Sequence, residues 1–296
     1  MGNLRGLIAL VLLTLIWGYN WVLTKQALHF AAPFTFAALR SVGGTFAMFA
    51  ALILMRRPLK LVAPLKTFWF GIFNCGGFLL FQNWALVEGG AGKTSVLVFT
   101  MPIWTLLLSW AFLRERVRGP QWLAAIVTLA GLTLIIAPWS IQGGLLSKTM
   151  SILAALSWSV ATIMLKRWRA ELAKDLLLVT AWHMVFGSAF LLLIAAVVPE
   201  PATNWTPQFM VILTLIILVS TALAWFLWLY VLDRLPAWQA GLSVLGVPAV
   251  AILSSRMQLG EAVEPLELTG ILFIGGGLAL LSFLNWREQQ RTIFAP

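Results

Sequence analysis

Leu15-Ile16-Trp17, with Lys25 eight residues beyond the tryptophan, returns in the second half of the chain as Leu156-Ser157-Trp158, with Lys166 eight residues beyond. A similar offset carries Pro102 and Leu113-Arg114-Glu115-Arg116-Val117 onto Pro248 and Leu259-Gly260-Glu261-Ala262-Val263, with thirteen residues from Pro to Glu in both copies. Self-similarity at half the chain length marks a duplicated unit. Around these landmarks each half holds five long apolar segments. A unit with an odd number of membrane crossings ends on the side opposite its start, so its second copy runs upside down. Inverted repeats of this kind are the architecture of secondary transporters. The expected organisation is residues 1–140 as one five-helix repeat and residues 141–296 as its inverted copy with a short tail.

Composition points the same way. Hydrophobic residues make up 61% of the 296, charged residues 10%. A soluble core of that size still needs a charged surface, so the chain belongs in lipid. The net charge of +10 does not mark a nucleic-acid partner, because the basic residues are divided among short loops, where headgroups attract them. One cysteine, Cys75, rules out an internal disulfide. Clusters of metal-ligating residues, nucleophile motifs and phosphate loops are missing, so neither a metal nor a cofactor is expected. No obligate protein partner is evident either.

About 20 apolar residues span the roughly 30 Å hydrocarbon core as a helix. Ten segments meet that length or approach it: 4–24, 34–55, 67–86, 94–113, 120–138, 149–165, 175–198, 208–232, 237–257 and 266–285. Alternating loops differ sharply in charge. With the N-terminus inside, the outer face receives Lys25, Lys93, Lys148 and Arg256, Arg40 lies within a span, and the remaining fifteen of the 20 Lys and Arg face the cytoplasm. The positive-inside rule therefore puts both termini in the cytoplasm. The expected fold is an all-α integral membrane bundle of ten transmembrane helices in two inverted five-helix repeats. Gly43-Gly44, Gly76-Gly77, Gly131 and Gly275-Gly276-Gly277 are placed to let helices approach closely.

The segment Tyr230-Val231-Leu232-Asp233-Arg234-Leu235-Pro236-Ala237, followed by Leu242-Ser243, Pro248, Leu259-Gly260-Glu261, Leu268-Thr269-Gly270 and Gly275-Gly276-Gly277, resembles the EamA-type repeat of the drug/metabolite transporter superfamily. The first half matches it more loosely through Arg40, Pro102, Glu115 and Gly131, and the two copies cover nearly the whole chain. The resemblance implies ten helices, cytoplasmic termini and export of small metabolites across a bacterial inner membrane. Within the superfamily the chain is similar to bacterial amino-acid exporters, including those for aromatic amino acids. A carrier of anionic metabolites such as sugar phosphates or nucleotide sugars is the alternative, and it needs several mid-membrane cations where only Arg40 is available. An intramembrane enzyme, resting on Arg40 and His183, is the rival from another class.

Polar residues inside a span face the bundle interior or water. In the first span Trp17, Asn20, Trp21 and Thr24 share one helical face, and Trp17 lies about 12 Å from the outer end at 1.5 Å per residue. Inversion sets Trp158 at the matching depth, with Thr162 one turn on. Two tryptophans meeting near the midplane make an apolar, weakly polarised wall for an aromatic or amphiphilic solute, or else they are packing residues. Asn74, Phe78 and Gln82 share a face of the third span, with Asn83 beside it; these amides either bond neighbouring helices or line water. Arg40 is read as a gate element or a carboxylate binder, and His183 as an interhelical hydrogen-bonder or a proton carrier. Pro102 and Pro248 interrupt helical ladders at equivalent places and are the candidate hinges. Glu115 and Glu261 are expected to cap helices or pair with loop charge. All ten Asp and Glu positions fall in loops or at helix ends, which favours facilitated movement over ion coupling.

Overall fold

Proline sets the first turn of several helices, because its fixed φ suits a helix start and its missing N–H would have no partner there. In the computed structural model, which describes residues 2–114, 119–136, 144–172, 175–234 and 237–293, Pro33, Pro64 and Pro207 each open a helix. Among the described residues every regular element is helical. The long ones are α1 (Gly2–Ala27), α2 (Pro33–Leu54), α3, α4, α5 (Gly119–Ile136), α6 (Leu145–Arg167), α7 (Leu176–Val197), α8, α9 (Ala237–Leu259) and α10 (Pro265–Ile293). Three are interrupted. Helix α3 runs Pro64–Gly71, then π-helical Ile72–Gly77, then Phe78–Glu88. Helix α4 is Ala91–Val98 and Met101–Leu113 around a turn at Phe99-Thr100. Helix α8 is Pro207–Leu215, π-helical Ile216–Leu223 and Ala224–Arg234. Among the described residues seven helices are long and apolar enough to cross a membrane, and Gly119–Leu134 and Leu268–Leu284 are shorter apolar helices. Large apolar side chains such as Phe46, Leu54, Phe112 and Met257 are exposed on the outside, as lipid contact requires.

The helix pairing has an internal order. Helix α1 packs on α9 as α6 packs on α4; α1 packs on α8 as α6 packs on α3; α2 packs on α8 as α7 packs on α3. The remaining major pairs, α2 with α7, α4 with α9 and α5 with α10, are their own counterparts when helices are shifted by five. Most of these contacts join the two halves, so neither half encloses a core by itself. The π-helical turns also correspond, each lying inside the third helix of its half.

Close approach explains most of the glycines. A Cβ on Gly131 of α5 would come 2.6 Å from the Gly270 carbonyl oxygen of α10, and one on Gly277 would strike Thr128. Gly43, Gly44, Gly76 and Gly77 likewise meet side chains of α6, α7 and α8. Gly275 and Gly276 differ from expectation: they turn away from α5 into open space. Consecutive helical residues point about 100° apart, so three glycines in a row cannot all face one partner.

Carboxylates close two helix N-termini at the face carrying Lys25. Glu200, beyond the end of α7, accepts from the backbone N–H groups of Phe34 (2.9 Å) and Thr35 (2.7 Å) and from the Thr35 hydroxyl. Glu261, just past α9, accepts from Ala91 N (2.6 Å) and Gly92 N (3.1 Å) at the start of α4. Negative charge at a helix N-terminus is stabilised by the exposed N–H groups and the macrodipole. The capping expected of Glu261 therefore falls on a helix of the first half; Glu115 lies outside the described residues. At the same face Lys25 donates to the carbonyls of Leu86 (2.6 Å) and Val87 (3.1 Å), closing the C-terminal end of α3. Across the molecule, Lys66 pairs with Glu171 and Arg57 with Asp175.

Candidate functional site

An aromatic cluster lies where α1, α3, α6 and α8 meet. The Trp17 ring of α1 is tilted on Trp228 at 5.8 Å between centroids and stands edge-on to Trp225 at 6.3 Å. Trp225 lies nearly parallel to Trp158 of α6, 6.3 Å away with 11° between planes. Trp158 in turn meets Phe78 of α3 edge-on at 4.7 Å. The two repeat-related tryptophans thus join through a third, Trp225, rather than directly. Helix α8 delivers it immediately after the π-helical stretch Ile216–Leu223. A π turn inserts residues into the ladder and rotates the helix beyond it, and such turns recur at functional sites. In α3 the equivalent turn contains Asn74 and precedes Phe78. Ser157 of α6 donates to the Phe73 carbonyl there (2.7 Å), supplying a partner within the irregular turn.

The polar residues fall into three groups. His183 of α7 is buried, and both its ring nitrogens are used: Nδ1 donates to the Val179 carbonyl (3.1 Å), and Nε2 is 3.1 Å from the Asn74 amide nitrogen. A carbonyl only accepts, so Nδ1 carries hydrogen and Nε2 of a neutral ring accepts from Asn74. Phe70 and Trp225 flank the imidazole at 5.0 and 6.0 Å. The second group centres on Arg40, the one buried Lys or Arg among the described residues. Its guanidinium donates to the Thr24 hydroxyl at 3.4 Å, long for such a bond, and lies 6.0 Å from the Phe36 ring centroid. The third group is Asn20, Gln82 and Asn83, all buried, with no partner for Asn20 Oδ1 or for either amide atom of Asn83.

Of the residues expected to line a path, Trp17, Phe78 and Trp158 belong to the cluster, and Asn74 and His183 adjoin it through Trp225. Trp21 is turned toward Phe99 at the break of α4 (6.3 Å) and buried. Thr162 donates to its own helix at the Trp158 carbonyl, 3.0 Å away. The two prolines differ: Pro102 opens the second segment of α4 after the turn at Phe99-Thr100, whereas Pro248 sits inside the continuous α9. Trp225, Trp228 and Phe70 escape sequence reasoning, because nothing distinguishes them among 16 Trp and 19 Phe. Among the described residues no group of three His, Cys, Asp or Glu is arranged to hold a metal ion.

The model of the EamA-like transporter family matches residues 4–137 and again residues 146–283. The chain is 29% identical over 289 residues to the uncharacterized transporter YoaV of Bacillus subtilis, covering 96% of this chain and 98% of that one. It is 25% identical to a protein of Escherichia coli named "probable amino-acid metabolite efflux pump", covering 99% of each. A protein of known crystal structure, 19% identical, superimposes with a TM-score of 0.68 over 96% of this chain and 98% of that one, a likeness of fold.

Proposed function

Because the chain belongs to the EamA-like transporter family and is therefore a multi-pass membrane transporter of a small molecule, we propose that it exports amino acids, aromatic ones included, from a bacterial cytoplasm by alternating access. The bundle crosses the inner membrane ten times, as an inverted pair of five-helix repeats (residues 1–140 and 141–296) with both termini in the cytoplasm. The conjugate pairing of helices supports this, since a two-fold relation between halves produces matched contacts. Exchange of access follows from rocking the halves, with the break in α4 before Pro102 and the missing hydrogen bond at Pro248 in α9 as places that bend.

The observation that carries the substrate reading is the cluster of Trp17, Trp225, Trp158 and Phe78, with Arg40, the one buried guanidinium among the described residues, held by Thr24 two turns from Trp17 along α1. Aromatic faces take an apolar or aromatic side chain, and Arg40 takes one carboxylate. Phosphate-bearing metabolites need more positive charge than one arginine supplies, and the buried imidazole of His183 is occupied by Asn74 and Val179. Movement is facilitated, since no Asp or Glu of the described residues lies in the middle of a long helix. Uptake of labelled aromatic, aliphatic and charged amino acids into protein-containing liposomes tests this. Neutral and aromatic amino acids are expected to move and to equalise across the membrane. Accumulation driven by an imposed pH gradient and abolished by a protonophore would refute facilitation, and no movement of any amino acid would refute the substrate class.

A further inference from the structure

Asn83 is the most anomalous polar residue among those described. Its side chain is fully buried in α3, and neither its amide nitrogen nor its oxygen has a hydrogen-bond partner. Buried amides in proteins are nearly always satisfied, and inside a membrane each unmet group costs several kcal/mol. Its Oδ1 is not alone. Asn20, buried on α1, also has an oxygen without a partner. The register of the two helices brings these amides to within about one helical turn of each other in depth. Lys25 of α1 reaches the carbonyls of Leu86 and Val87, and Trp21 packs in one cluster with Leu86. Asn20 precedes Lys25 by five residues, and Asn83 precedes Leu86 by three. The aromatic cluster begins one turn below on α1, at Trp17. One turn above, Thr24 holds Arg40.

We propose that Asn83, together with Asn20, receives the α-ammonium group of a zwitterionic amino acid; this rests on the amino-acid reading given above. Three features of the chemistry lead there. Whichever way the Asn83 amide is turned, its oxygen accepts, and with Asn20 Oδ1 two neutral acceptors without partners lie at similar depth, suited to a donor-only group. An ammonium has three N–H donors and no lone pair, so it leaves neither oxygen competing. Arg40, one turn away, would repel a simple cation but attracts the carboxylate of the same zwitterion, which orders the ligand as side chain, ammonium, carboxylate along α1. Finally, no buried Asp or Glu is found among the described residues, so amide oxygens and aromatic faces carry the task a carboxylate would otherwise perform.

The purified wild-type protein and its Asn83→Leu variant, titrated with L-tryptophan, tryptamine and indole-3-propionate, test the assignment, with binding read by intrinsic fluorescence and melting temperature. Leucine has nearly the shape of asparagine without its polar atoms. An amide that only packs would be replaced with higher stability and unchanged binding. The expected result is an unchanged or raised melting temperature with affinity for L-tryptophan lowered at least tenfold. Indole-3-propionate, which lacks the amine, should bind the two proteins within a factor of two. Asn83→Ser, smaller than the native residue, should repeat the loss if the leucine variant fails to fold. Unchanged L-tryptophan affinity in a folded variant overturns the ammonium site while leaving amino-acid transport standing. Failure of the folded wild type to bind L-tryptophan, leucine or alanine overturns both.

Discussion

Trp225 holds the site together: it touches Trp17, Trp158 and His183, and through them residues of α1, α6 and α7. Replacing it by alanine removes one wall of the cluster and the contact between the repeat-related tryptophans. Transport should fall on the order of tenfold, about 1.4 kcal/mol of lost contact, while the purified protein still melts cooperatively; normal transport at matched protein level would show that the ring only packs. His183 permits a sharper comparison. In His183→Leu the Asn74 amide loses its acceptor inside the bundle, a cost of about 1–3 kcal/mol, so the melting temperature should drop. His183→Gln, which still offers an acceptor to Asn74, should recover most of that loss. Equal melting temperatures for the two variants would contradict the hydrogen bond as the residue's main task. Trp17 and Trp158 are legible in the sequence because duplication marks them. Trp225 is not, since its direction depends on a π turn that helical periodicity does not anticipate.

At the scale of elements, the contact of α5 with α10 shows what small residues accomplish. Gly131 lies against the Gly270 backbone, so Gly131→Leu must push the helices apart, at a cost of about 1–3 kcal/mol. Gly275 faces open space, so Gly275→Ala should be neutral or stabilise by up to about 1 kcal/mol through helix propensity. Thermal melts of the two variants in the same detergent give the comparison, and a Gly275→Ala variant as damaged as Gly131→Leu would overturn this packing account. Glu261 supplies a second case. Removing its carboxylate leaves two N–H groups of α4 without their acceptor, so Glu261→Ala should cost about 1 kcal/mol, read from the same melts. Sequence spacing identifies this glutamate as a landmark, yet its partner lies 170 positions away, a separation that only the packed bundle brings together. The apolar segments are legible from hydropathy, but the packing glycines only in part. Gly43, Gly44, Gly76, Gly77, Gly131 and Gly277 meet neighbours as expected, Gly275 and Gly276 do not, and Gly18, Gly71 and Gly187 pack as closely without a sequence signal. The turn inside α4 and the π stretches are not legible, because they alter hydrogen bonding without altering composition.

For the molecule as a whole, duplication is the organising fact. Repeat-related residues and a twice-matching family model agree with a helix pairing in which contacts recur after a shift of five. Which helices pair cannot be read from the sequence, because apolar segments are chemically alike and lipid supplies no hydrophobic preference among them. The substrate path we propose follows from that pairing: α1 and α6 bring their tryptophans to one place, and α3 and α8 supply the rings between and beside them. The most direct measurement of the central claim is counterflow of labelled L-tryptophan into liposomes preloaded with the unlabelled amino acid, with equal pH on both sides. A transient overshoot of label is expected with the wild-type protein, absent from protein-free liposomes and lost when Trp17 and Trp158 are both alanine. No overshoot with the wild type, or an equal overshoot with the double variant at matched incorporation, would contradict the central claim.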